Sequence, residues 1–127
     1  MKQTRAEPLL RDAPAPLRVI LTTTGRRTGE RREAALYAFH DGERLVVVGS
    51  SAGRARDPAW ALNLRANPRA AIRRGSETRA VFAHEVDGEE RDRLWALVCA
   101  AFPLYATYQR RTSRRIPLFV LTHARSM

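Results

Sequence analysis

Short stretches in which apolar positions alternate with polar ones, or run on between turn residues, dominate the chain. They predict strands over Arg18–Thr23, Arg32–Phe39, Arg44–Gly49, Ala70–Arg73, Thr78–Val86 and Ile116–Thr122. Asp41-Gly42, between Leu36-Tyr37-Ala38-Phe39 and Leu45-Val46-Val47-Val48, reads as a tight hairpin turn, because glycine accepts positive φ at no steric cost. Gly75-Ser76 is a second, weaker turn signal of the same kind. Hairpins of this type make the sheet antiparallel.

Helical spacing interrupts the strands twice. Asp57-Pro58 offers an N-cap and a preset first turn for a helix over Pro58–Arg65, which Asn67-Pro68 must end because proline lacks the N–H. Asp87, with Glu90 three residues on, approximates a capping box for Gly88–Phe102, where Leu94, Leu97, Val98, Ala101 and Phe102 share one apolar face. Strands joined as hairpins with helices inserted between pairs fit a mainly β (α+β) small barrel or split β-barrel better than a sandwich. The lack of strand–helix alternation argues against a doubly wound sheet. A chain of 127 residues accommodates one such domain, placed at residues 18–127 behind a short proline-rich tail at residues 1–17.

Composition narrows the function. No apolar run approaches the 18 or so residues of a membrane-spanning helix, and the first residues carry no apolar signal segment, so the expectation is a cytoplasmic protein. Cys99 is the one cysteine and reads as a small buried hydrophobe; His40, His84 and His123 lack partners at metal-ligand spacing, so no metal site is expected. No Ser-His-Asp or paired-carboxylate arrangement is visible. The net charge is +10, and Lys2 is the only lysine, so the excess is almost entirely guanidinium. Guanidinium forks suit bidentate contact with phosphate or carboxylate, which points to an anionic partner. An arginine-rich barrel that stacks nucleic-acid bases is a rival reading, disfavoured by an aromatic share of 7% concentrated in the second helix and C-terminal segment.

The first strand runs into Thr22-Thr23-Thr24-Gly25-Arg26-Arg27-Thr28-Gly29. Hydroxyl donors, two glycines that free the backbone to turn its N–H groups outward, and adjacent guanidiniums together suit a bound anion. The loop is neither a Walker loop nor a dinucleotide fingerprint, since its glycine spacing is wrong and no helix pattern follows. Taken alone, it fits a charged hairpin turn as well as an anion cradle.

Leu21 to Gly29 resembles the LTTTGRKTG signature of the deazaflavin-dependent nitroreductase family, which binds coenzyme F420. Val47-Val48-Gly49-Ser50, Asp57-Pro58-Ala59-Trp60, Asn63 to Pro68, Gly88 to Arg91 with Leu94-Trp95, and Tyr105, Tyr108-Gln109, Thr112, Arg114 and Ile116-Pro117 resemble further family segments in the same order and spacing. The resemblance implies a split β-barrel and an oxidoreductase that passes hydride between the deazaflavin and a small planar acceptor, a quinone or nitro compound. FMN is the less favoured cofactor, and a cofactor-binding module without turnover is the alternative reading.

By the same resemblance, Arg26, Arg27 and Arg32 meet the cofactor's phosphate and the carboxylates of its oligoglutamate tail, with Thr23, Thr24, Gly25 and Thr28 adding donors. Trp60 and Asn63, one turn apart on the first helix, lie beside the cofactor. Ser50 faces acceptor or cofactor ring, and Ser51 stands where the family carries a lysine near the cofactor. Tyr105 and Tyr108 supply phenols that stabilise an oxygen gaining charge. Phe102 and Ala61 replace commonly found tyrosines, and Ala34-Ala35 replaces an Asn-Pro, so the pocket wall differs from the family's usual one. Related barrels often pair, which leaves a homodimer open, although the edge strands here reveal no self-complementary face.

Overall fold

The computed structural model describes residues 16–124. The proline-rich tail therefore lies, up to residue 15, outside the described residues. The chain runs β1 (Leu17–Thr24), β2 (Arg31–Asp41), β3 (Arg44–Val48), α1 (Ala59–Ala66), β4 (Arg69–Arg74), β5 (Glu77–Glu85), α2 (Gly88–Ala101), α3 (Leu104–Arg110) and β6 (Leu118–His123). All pairings are antiparallel, and the strands close into a barrel in the order β1-β2-β3-β6-β5-β4. This is the split β-barrel that the alternation pattern predicts.

Both hairpins form where the turn residues place them. Asp41 pairs with Arg44, and Arg74 with Glu77, leaving two-residue turns whose first positions, Gly42 and Gly75, take φ of 63° and 61°. The apolar residues divide into two cores. Val19, Leu21, Ala38, Val47, Ile72, Val81, Phe119 and Leu121 fill the barrel, and α1 plugs one end with Trp60, Ala61 and Leu64. Phe39, Val46, Val48, Leu118 and Val120 point the other way and pack under α2 and α3 through Leu94, Val98 and Tyr105. β3 and the inner part of β6 are thus buried on both faces, and their sequences are unbroken apolar runs for that reason.

Neither proposed helix cap forms. The residue before α1 is Pro58 in extended conformation, and the Asp57 carboxylate instead accepts from Arg65 at 2.8 Å and Arg114 at 2.6 Å. Asp87 does precede α2 but makes no side-chain cap, and Glu90 turns to Arg44 at 3.0 Å. Asp57 and Glu90 are taken instead by guanidiniums, which offer a carboxylate a full opposite charge and a fork of donors where a backbone N–H offers one donor on a dipole. β6 also starts two residues later than the apolar run suggests. Ile116 is held outside the ladder, its N–H donating to Gln109 and its carbonyl accepting from the buried Arg91 guanidinium.

Asp41, at the end of β2, receives Arg44 and, from α2, both Nη atoms of Arg93 at 3.0 Å. The bond from Arg93, seconded by Arg44, lowers its pKa to about 2 against the opposing effect of burial. A depressed carboxylate stabilises the fold fully above its unfolded pKa, and that contribution drains away as pH falls through the folded value. Stability should therefore decline from about pH 4 towards pH 2, and Arg93→Ala should flatten part of the decline. Urea titrations across that window test this; an identical slope in the variant would refute it.

Candidate functional site

The β1–β2 connection folds tightly before any ligand is considered. Gly25 N–H donates to the Glu30 carbonyl at 2.7 Å, and Gly29 N–H to the Gly25 carbonyl at 2.8 Å. A Cβ on Gly25 would lie 2.9 Å from Thr28 Oγ1 and 3.2 Å from the Glu30 carbonyl, so glycine is required there by space. Gly29 takes φ of 75°, in the left-handed region. Residues 26–30 are exposed, while Thr23 beneath them is buried.

Asn63 of α1 anchors this loop to the barrel plug. Its Oδ1 accepts from the Arg26 backbone N–H at 3.1 Å and from Arg26 Nη1 at 3.2 Å, and its Nδ2 donates to Thr23 Oγ1 at 3.1 Å. At 3% exposure it is one of the few buried polar side chains in the described residues, and its polar atoms serve the loop. Asn63→Leu leaves the buried Thr23 hydroxyl and the part-buried Arg26 N–H without their partner and is expected to cost about 2 kcal/mol. Asn63→Asp keeps the acceptor for Arg26 and should retain most of the stability. Chemical denaturation of the two variants decides; a neutral Asn63→Leu would mean that the loop holds itself.

Thr23, Gly25, Arg26, Arg27, Thr28, Arg32, Trp60 and Asn63 line one cleft of about 400 Å³, together with Glu33, Ala34 and Ala59. Most residues singled out for cofactor contact thus come together. Thr24 does not: it is half-buried on the outer side of β1, opposite Arg31, and does not line this cleft. Trp60 serves two purposes, packing edge-on to Phe119 at 5.8 Å inside the barrel while presenting part of its ring to the cleft. Guanidiniums around a glycine-made floor, with hydroxyls beside them, match a ligand bearing phosphate and carboxylates.

A second cleft of about 270 Å³ holds Ser50, Tyr105 and Tyr108, with Ala35, Leu36, Tyr37, Val48, Ala52 and Phe102. The three residues expected to act on the acceptor are therefore together, while Ser51 lines neither cleft. Consecutive residues of β2, Ala34 and Ala35, belong to the first and second cleft respectively. The aromatic wall is tightly packed: Tyr105 meets Phe102 at 4.7 Å, Phe39 at 5.9 Å and Tyr108 at 6.4 Å, all edge-on. Burial, and then the neighbouring Tyr108, push the Tyr105 phenol well above its usual pKa, so it stays a protonated donor. Tyr37, which the strand pattern did not single out, joins this wall 6.2 Å from Phe102.

The remaining wall is a turn of unusual backbone. Ser51, Ala52 and Gly53 take φ of 44°, 53° and 79°, three successive residues in the left-handed region, two of them with side chains. Arg114, far along the chain, holds the turn. Its guanidinium donates to the carbonyls of Gly49 at 3.1 Å, Ser50 at 2.7 Å and Arg54 at 2.8 Å, and to Asp57 Oδ1 at 2.6 Å. Gln109 in turn donates to the Arg114 carbonyl at 2.8 Å. α3 rests on the same turn so closely that a Cβ on Gly53 would lie 2.7 Å from the Tyr108 carbonyl.

Among the described residues no helix is long and apolar enough to cross a membrane, and no group of three His, Cys, Asp or Glu could hold a metal ion.

Comparison with known proteins identifies the family. Residues 4–123 fit the model of a family described as F420H(2)-dependent quinone reductase. An F420H(2)-dependent quinone reductase of Mycobacterium tuberculosis is 40% identical over 111 residues, covering 85% of this chain and 74% of that protein. A solved structure of an F420-H2 dependent reductase is 35% identical with a TM-score of 0.75, covering 83% of this chain and 93% of that one. A second, titled a domain-swapped dimer, is also 35% identical with a TM-score of 0.75, covering 83% and 79%. The heme storage protein HutZ of Vibrio cholerae, at 17% identity, a TM-score of 0.65 and coverage of 92% and 86%, shares the fold alone. With a family model spanning nearly the whole chain and relatives of this identity and coverage, the chain belongs to the F420H(2)-dependent quinone reductase family.

Proposed function

We propose that the arginine-lined cleft beneath the β1–β2 loop takes the phosphate and carboxylates of coenzyme F420, and that the tyrosine cleft across β2 takes the acceptor. The chain is a deazaflavin-dependent oxidoreductase acting on quinones. One observation carries the division of labour: a cationic cleft and an aromatic cleft lie on neighbouring residues of one strand, Ala34 and Ala35. Bound in such a site, the reduced deazaflavin supplies the hydride.

The protein's own contribution is placement and charge. Arg26, Arg27 and Arg32 neutralise the anionic tail, with Thr28 adding a hydroxyl beside them, while Asn63 keeps the loop in register with the plug. Tyr105 and Tyr108 donate hydrogen bonds to an acceptor oxygen that gains negative charge, and the low exposure of Tyr105 makes such a bond stronger than it would be in water. Ser50 offers a further hydroxyl on the opposite wall. Two copies pair as a homodimer in this reading, supported by the similar structure described as a domain-swapped dimer.

Titration of the purified protein with F420 and with FMN, followed by cofactor fluorescence, tests the assignment, and preference for FMN overturns it. Tyr105→Phe should lower kcat/KM for a quinone roughly tenfold, the cost of one hydrogen bond to developing charge, with F420 affinity unchanged. A cofactor-loaded protein that reduces no quinone would instead favour a binding module without turnover.

A further inference from the structure

Ala35, Leu36 and Tyr37 line the tyrosine cleft and also a neighbouring groove of about 250 Å³ on the outer sheet. Arg18, Val19 and Ile20 of β1, and Arg73 with Arg74 and Gly75 at the end of β4, complete that groove. The register makes the surface continuous: Ile20 stands opposite Ala35 on one side and Arg73 on the other, and Arg18 stands opposite Tyr37. Because successive side chains alternate faces and Val19 is buried in the barrel, Arg18, Ile20, Ala35, Tyr37 and Arg73 share the outer face. Ala35 contributes only a methyl group, so the floor between cleft and groove is low.

The two ends differ in chemistry. The cleft is aromatic, whereas the groove carries guanidiniums that the F420 cleft does not use. Arg18 lies over the Tyr37 ring, 5.8 Å from its centre. Arg73 reaches a carboxylate among the described residues only at 3.9 Å, on Glu33. A planar ring among Tyr37, Tyr105 and Tyr108 would therefore have Arg18 about one strand spacing away, roughly 5 Å across the sheet, and Arg73 about two spacings away, roughly 10 Å.

We propose, resting on the oxidoreductase reading above, that the acceptor is an amphiphilic anion: a quinone ring seated in the tyrosine cleft, with a carboxylate arm lying over Ile20 onto Arg18 and Arg73. Planar guanidinium forks favour a carboxylate, and the apolar floor favours a short hydrocarbon link to the ring. The oligoglutamate tail of F420 offers the same carboxylate chemistry, so the test separates the two sources.

The probes are 2-methyl-1,4-naphthoquinone and the same ring bearing an alkyl carboxylate arm. Their binding is read by quenching of tyrosine and tryptophan fluorescence, their reduction by kcat/KM with F420H2, and F420 affinity by cofactor fluorescence. The acid quinone should bind and react about tenfold better than the neutral one at low ionic strength, with the advantage shrinking in salt. Arg18→Gln with Arg73→Gln should erase that advantage while leaving the neutral quinone and F420 affinity unchanged. Arg73→Gln with Arg74→Gln, which leaves Tyr37 and its stacked arginine alone, should remove most of it. Equal binding of the two quinones by the unmodified protein overturns the proposal, as does an advantage that survives both variants. Weakened F420 binding in either variant would assign the groove to the cofactor tail and overturn it equally. Failure to reduce either quinone would strike the oxidoreductase reading, while the binding comparison would still decide the present proposal.

Discussion

Replacing Arg26 and Arg27 together with alanine is expected to weaken F420 binding about a hundredfold with little change in stability. Both guanidiniums are exposed beside the cleft, and each would make a charge-assisted contact with phosphate or carboxylate. Discounted for solvent, such a contact contributes about 1.4 kcal/mol, a tenfold factor each. The loop itself should persist, because its principal anchor to α1 is the Arg26 backbone N–H, which alanine retains, and its closure is made by Gly25, Gly29 and Glu30. Affinity of the unmodified protein should also fall with added salt, and more steeply than that of the variant. Fluorescence titration at two ionic strengths reads both effects. Unchanged affinity would mean that the cofactor's anions are held elsewhere.

Arg114→Ala should be the most destabilising single change at the site, costing about 3 kcal/mol and lowering Tm by roughly 10 °C. The side chain is 13% exposed and its removal strands three backbone carbonyls and half of the Asp57 pairing at once. Those carbonyls, of Gly49, Ser50 and Arg54, flank the turn at Ser51–Gly53, whose left-handed backbone is unfavourable unless it is held from outside. Arg114→Lys should rescue little, because an ammonium has no planar fork to span four acceptors. In the fraction that folds, KM for the acceptor should rise more than the Kd of F420, since Ser50 and Ala52 wall the acceptor cleft alone. Thermal unfolding checks the first claim; a loss below 1 kcal/mol would show that α3 and the strands hold the turn without help.

The fold was legible because its signals are local. Alternation marks β1 and β2, glycine marks both hairpins, and the spacing of Leu94 and Val98 marks α2. The β1–β2 loop was legible for the same reason, since its residues are contiguous. α3 was not foreseen: Leu104–Arg110 is seven residues long and follows Pro103, too short for helical periodicity to emerge, and it is fixed by packing on Gly53 and Phe39. The turn at Ser51–Gly53 was equally invisible, because the residue that holds it lies some sixty positions away and nothing in its neighbourhood announces the pairing. Asp57 and Glu90 were read as caps because capping is a local rule, and their real partners are arginines brought in by the tertiary fold. Tyr37 looked like one more strand residue, and only the arrival of Phe102 beside it makes it part of a wall.

β6 lies between β3 and β5 and is the last strand to be incorporated along the sequence. Until it inserts, β3 and β5 each present an unpaired edge, and β3 is apolar on both faces. Closure therefore joins β6 to β3 residues such as Val48 and Leu45 that lie 70 and 76 positions before their partners Leu118 and Leu121, a non-local pairing that slows folding and prolongs exposure of those edges. Substitutions in Leu118–His123 should thus be felt first in refolding yield at high protein concentration, before any loss of equilibrium stability is measurable.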